Sequence, residues 1–165
     1  IKNPHDMIEP SESAHIIISH PYDGAALLKK HRLPKEIIAI SEQHHGTSLL
    51  KYFYYKEKEK NENVLEKDFR YPGPKPQTKE AAIISICDSV EAAVRSLKEP
   101  TNEKISEIVA SIISDKLMDG QLDESPLTLK ELKAIQQTIH ETLQGIFHSR
   151  IQYPKKEKND DENNN

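Results

Sequence analysis

The sequence predicts an all-helical fold, and three observations carry that prediction. Apolar residues recur every three to four positions through three long stretches. Alternating apolar–polar runs of the strand type are almost absent, and Pro, Gly and charge clusters cut the chain between the periodic stretches. The 165 residues suit a single folded unit, and a hydrophobic fraction of 35%, low but well patterned, is enough for a packed core.

In chain order, Pro10 and Ser11 open a first helix in which Ile16, Ile17 and His20 fall three to four apart. Pro21 is expected to restart the chain, with Ala25, Leu27 and Leu28 leading on to Leu33. A third segment runs from about Pro34 to His45 and stops at Gly46, the residue type favoured just past a helix end. The aromatic cluster Tyr52-Phe53-Tyr54-Tyr55 fits a short helix or a strand equally. From Lys56 to Arg70 charges of both signs predict a solvated, mobile insertion, and the Pro/Gly-rich run Arg70–Pro76 excludes both helix and central strand.

Three long helices follow. About Thr78–Leu97 carries Ile83, Ile86, Val90, Val94 and Leu97 on one stripe. About Asn102–Met118 carries Ile105, Ile108, Val109, Ile112, Ile113 and Leu117. Thr128 to about Arg150 carries Leu132, Ile135, Ile139, Leu143, Ile146 and Phe147. Beyond Tyr153 the tail has no apolar anchor and is expected to be disordered. No internal repeat is visible.

The net charge of −4 excludes a strongly basic nucleic-acid binder, so no DNA or RNA partner is expected. No apolar run approaches the ~20 residues that span a bilayer, which predicts soluble residues. The single cysteine, Cys87, excludes an internal disulfide, points to a reducing compartment and reads as core packing. Ile1 is not a natural start residue, so the chain reads as a piece of a longer one.

Chemistry concentrates in a few side chains. His44 and His45 end the third segment seven residues after Ile37 and Ile38, close to its buried face. Adjacent helical residues diverge by ~100°, which suits two metals better than one; the alternative is one buried and one surface histidine. His20 lies i+4 from Ile16 and precedes Pro21, free to project into a cavity or to pack. Asp88 sits in the apolar run Ala81–Val90, where a carboxylate needs a metal or an ion pair. Together these form a mixed N/O set suited to Fe, Mn, Co or Zn. Arg95, two turns after Asp88, can reach a phosphate at the site or pair with Glu91. His5-Asp6 reads as a polar turn, and His15, His31, His140 and His148 as structural or exposed.

His20-Pro21-Tyr22-Asp23-Gly24, Leu33-Pro34-Lys35-Glu36-Ile37-Ile38 and Glu42-Gln43-His44-His45-Gly46-Thr47 resemble the later part of an HD-superfamily metal phosphohydrolase. Arg70-Tyr71-Pro72-Gly73-Pro74 is similar to the Gly-Tyr-Pro region of the HD-GYP phosphodiesterases without being that motif. With Asn3-Pro4-His5-Asp6, Phe69–Pro76, Asp88-Ser89-Val90-Glu91-Ala92 and His148-Ser149-Arg150-Ile151, the set resembles the cytoplasmic HD domain of the bacterial seven-transmembrane-HD receptors, from about Asn3 to Pro154.

The resemblance implies an HD-type helical bundle over residues 1–153, with a Pro/Gly-rich insertion and a disordered polar tail at 154–165. It implies two divalent transition metals, Mn or Fe, and hydrolysis of cyclic di-AMP to linear pApA. His20, His44, His45 and Asp88 fall on metal-ligand and catalytic positions, and Arg95 is assigned to substrate binding. The implied setting is the cytoplasmic domain of a bacterial integral membrane protein, with an upstream transmembrane region in the same chain and a homodimer as a further association. The family's upstream histidine and His-Asp dyad have no counterpart in these 165 residues. The rival readings are a non-catalytic nucleotide-binding sensor domain and a mononucleotide phosphohydrolase of the same superfamily.

Overall fold

The computed structural model describes residues 4–148, which form six α-helices, two 3-10 turns and no strand. The helices are α1 (Pro10–Lys30), α2 (Lys35–Gln43), α3 (Lys51–Lys58), α4 (Lys79–Arg95), α5 (Asn102–Met118) and α6 (Leu129–His148). The tail expected to be disordered lies outside the described residues.

Threonines start the three long helices. Thr78 and Thr101 each accept a hydrogen bond from the backbone N–H three residues on, at 3.1 and 3.2 Å. Thr128 and Glu131 satisfy each other's backbone N–H groups reciprocally, the capping-box arrangement. The core lies between these helices. Ile86, Val90 and Val94 of α4 pack with Ile105, Val109 and Ile113 of α5 and Leu132 of α6, all buried on the stripes that the periodicity predicts. On α5 the buried stripe ends at Lys116 rather than Leu117, which is exposed.

Pro21 does not restart the chain: α1 runs through it without a break. Proline removes the N–H that would bond the Ile17 carbonyl, and a side chain takes that carbonyl instead, as described below. Pro21 is buried against α2, whose Ser41 Oγ donates to the Pro21 carbonyl at 3.0 Å. Gly24, one turn on, makes this approach possible, because a Cβ there would come within 2.9 Å of Ser41 Oγ.

The aromatic cluster resolves as helix α3. The charged insertion is exposed from Lys58 to Asn63, as expected, but it returns to the body at Phe69, which is only 2% exposed. The Pro-rich run is a strap, not a free loop. The Tyr22 hydroxyl donates to the Gly73 carbonyl at 2.8 Å, and Gln77 N–H donates to the buried Gln43 Oε1 at 3.0 Å. Tyr71 and Pro76 of the strap are themselves buried. The strap is thereby tied to α1 and, through Gln77 just past it, to α2.

Candidate metal centre

The three histidines singled out in the sequence come together. His20 projects from α1 and is exposed rather than set in a cavity, while His44 and His45 stand half-buried in the turn just after α2. One ring nitrogen from each lies within 4.8 Å of the other two, and His20 Nε2 and His45 Nε2 are 3.1 Å apart.

Two of the rings are fixed by the backbone. His20 Nδ1 donates to the Ile17 carbonyl at 2.6 Å, and His44 Nδ1 donates to the Ser41 carbonyl at 2.7 Å. A carbonyl only accepts, so both Nδ1 atoms carry the proton and both Nε2 atoms present a lone pair, that of His20 toward His45 Nε2. His45 is held differently: its ring stacks on Tyr71, centroids 4.5 Å apart and 15° from parallel. Burial, then the neighbouring His44, His20 and Lys116, lower the His45 pKa to about 3, which keeps it neutral and able to ligate at pH 7.

Asp88 departs from the buried carboxylate that the sequence suggests. Its α4 position faces the rim of the cluster, with its side chain 45% exposed and Oδ2 3.9 Å from His45 Nε2. Flanking Ile84 is exposed as well, so this stretch of α4 is apolar in sequence without being buried all round. The divergence argued for adjacent helical histidines also does not apply, since the helix ends at Gln43 and the turn brings the two rings to 4.1 Å. The donor set of three imidazoles and a carboxylate, with two imidazoles oriented from behind, fits a divalent transition metal.

Arg95 pairs with Glu91 at 3.4 Å, two helical turns beyond Asp88. His5 packs edge-on to Phe53 from a 3-10 turn, the turn expected for His5-Asp6. His15 and His31 are exposed, and burial raises the pKa of the half-buried Cys87 thiol, in keeping with a packing role.

Sequence reasoning missed the groups that hold the histidine turn. Gly46 adopts φ +52°, and a Cβ there would meet Gln121 Oε1 at 2.5 Å. That same oxygen accepts from Thr47 N–H at 2.9 Å, while Gln121 Nε2 donates to Thr47 Oγ1 and to Asp119 Oδ2, each at 2.9 Å. Arg70 closes the clamp. It donates to the Thr47 carbonyl at 2.8 Å and binds both oxygens of Asp119, at 3.0 and 2.9 Å. Hydrogen bonds from Arg70 lower the Asp119 pKa, and Gln121 adds to the effect. Lys116 was missed too, although a lysine three residues after Ile113 on the apolar stripe of α5 is itself a signal.

His20 of α1, His44 and His45 of the turn after α2, and Asp88 of α4 thus meet at one site in a helical bundle. The chain belongs to the HD domain family, whose model matches residues 4–93. It is 62% identical over 154 residues to the cyclic-di-AMP phosphodiesterase PgpH of Bacillus subtilis, covering 93% of this chain and 22% of that protein. It is 59% identical over 152 residues to PgpH of Listeria monocytogenes, covering 92% of this chain and 21% of that protein. The crystal structure of the L. monocytogenes PgpH HD domain in complex with cyclic-di-AMP matches with a TM-score of 0.87 at 58% identity, covering 92% of this chain and 71% of that one. The chain therefore spans about a fifth of the length of the curated relatives it matches, at 22% and 21%.

Proposed function

We propose that these residues form part of the catalytic domain of a metal-dependent phosphodiesterase that hydrolyses cyclic di-AMP to linear pApA. The observation that carries this reading is the convergence of His20, His44 and His45, with Asp88 at their rim, in a chain 62% identical to a cyclic-di-AMP phosphodiesterase.

His20, His44, His45 and Asp88 are the residues that would hold two divalent transition metals, Mn or Fe. Such metals, when bound, neutralise charge on the phosphate oxygens and make water acidic enough to act near neutral pH. The protein's own part is orientation. Backbone carbonyls point His20 and His44 Nε2 at a common centre, Tyr71 packs flat against His45, and Asp88 supplies the anionic donor. The Arg70–Gln121 clamp keeps the histidine turn in place. Arg95 stays outside this reading while it is paired with Glu91.

The reading extends to the setting. Among the described residues no helix is long and apolar enough to cross a membrane, and the matched relatives are several times longer. A cytoplasmic domain tethered to an upstream membrane region of the same chain, free to pair with a second copy, accommodates both facts.

The test is hydrolysis by the full-length protein. Manganese- or iron-loaded protein is incubated with cyclic di-AMP, cyclic di-GMP and mononucleotides, and products are separated by chromatography. Linear pApA formed from cyclic di-AMP, faster than any product from the other substrates, is expected. No turnover of any dinucleotide by metal-loaded protein would sink the proposal.

A further inference from the structure

A hollow of about 490 Å³ with both polar and apolar walls opens between α3 and the C-terminal half of α5. Its lining includes Ser89, the neighbour of Asp88, and three cations: Lys51, Arg70 and Lys116. Two of the cations are committed. Arg70 is bound by Asp119 and Glu66, and Lys51 pairs with Asp115 at 3.5 Å.

Lys116 differs from both. It is only 8% exposed, it makes no ion pair among the described residues, and its ammonium has one protein partner, Ser85 Oγ at 3.1 Å. An ammonium carries three donors, so two remain for whatever enters the hollow. A buried lysine without a carboxylate is costly to folding, and a methionine of similar shape would pack there more cheaply. Folding therefore gives no reason for a cation at this position. Its surroundings do: its partner Ser85 stands one turn of α4 before Asp88, and Ser89, next to Asp88, lines the same hollow as Lys116.

We propose that Lys116 is a further catalytic residue, whose ammonium binds a non-bridging oxygen of the anionic phosphodiester held at the His20–His44–His45 cluster. This assignment rests on the phosphodiesterase reading above. Ser85 fixes the direction of the ammonium, and the water-poor wall of α4 and α5 strengthens its attraction for a phosphate. Because negative charge accumulates on those oxygens during displacement, the contact acts mainly on turnover.

The test compares full-length wild type with Lys116→Met, and with Lys116→Gln, which keeps a donor to Ser85 while removing the charge. Four readouts are needed: bound metal per chain, melting temperature, binding of pApA by calorimetry, and kcat/KM for cyclic di-AMP. The expected result is unchanged metal, an unchanged or higher melting temperature for Lys116→Met, pApA binding weakened about 10-fold, and kcat/KM lower by about 100-fold, the scale of losing one preorganised donor. If Lys116→Met does not fold, Lys116→Gln decides on the same readouts. Wild-type values of kcat/KM and pApA affinity in the variants would overturn the role of Lys116 alone. Loss of metal in step with activity would also overturn it, by making Lys116 a support for Asp88. A metal-loaded wild type that neither cleaves cyclic di-AMP nor binds pApA would overturn both this inference and the reading beneath it.

Discussion

His20 Nδ1 donates to the carbonyl of Ile17 at 2.6 Å, occupying the acceptor that the proline at position 21 leaves open within α1. An unbroken helix would have filled that carbonyl with the N–H of residue 21. The proline thus weakens the helix and leaves an acceptor that fixes the His20 ring. His44 uses the same device at the end of α2, where the Ser41 carbonyl belongs to the last turn and its acceptor is free.

Pro21→Ala follows directly. A restored N–H competes for the Ile17 carbonyl, so His20 loses its fixed orientation. The variant is expected to melt no lower than wild type while binding manganese about 10-fold more weakly, the usual scale for a lost orienting partner. Calorimetric metal titration alongside thermal melts checks both halves. Equal metal affinity would mean that the Ile17 contact does not matter.

Gln121→Ala tests the clamp. It leaves the Thr47 N–H without its acceptor in a half-buried turn, which costs about 1–3 kcal/mol in urea unfolding. Activity should fall as well, because the histidine turn loses its support. A variant with wild-type stability would show that the turn holds itself.

Asp88→Asn separates ligation from structure. Asp88 is a rim residue whose ion-pair distance to His45 is long, at 3.9 Å, so little folding free energy depends on it. The substitution is expected to lower bound manganese and turnover strongly while leaving the melting temperature of the metal-free protein nearly unchanged. A large drop in that temperature with metal content intact would make Asp88 structural.

A pH dependence follows from His45. In the metal-free folded protein this ring stays neutral down to about 3, whereas an unfolded chain protonates it near the usual value of about 6.5. The unfolded state therefore binds more protons between those limits, and the contribution of His45 to stability is full above the upper limit and drains away as pH falls toward the lower one. Metal-free His45→Gln should show a shallower loss of melting temperature between pH 6.5 and pH 4 than wild type. Parallel slopes would count against a buried neutral His45.

Helix existence and the apolar stripes were legible in the sequence because periodicity reports directly on burial: Ile86, Val90, Ile105 and Val109 are all buried where spacing puts them. The histidines were picked out by the same spacing, yet His20 is exposed, as are Ile16 and Ile37, the residues that were to mark a buried face beside them. Asp88 was only half legible, since an apolar neighbourhood in sequence does not say which face of a helix is covered, and Ile84 beside it is exposed. Pro21 misled because local propensity was weighed without the packing of Ser41 and Gly24 that holds α1 and α2 together. The Arg70–Asp119–Gln121 clamp was illegible, because its members lie up to 74 positions from the turn they support and no local pattern joins them.

The central claim, that His20, His44 and His45 form a metal centre, is tested most directly by counting metal. Iron and manganese per chain should be measured on the full-length protein and on His44→Ala, with His140→Ala as a histidine removed from outside the cluster. The account predicts that wild type and His140→Ala carry the same bound metal and that His44→Ala loses most of it while keeping its helicity. Equal metal in His44→Ala and wild type would contradict it.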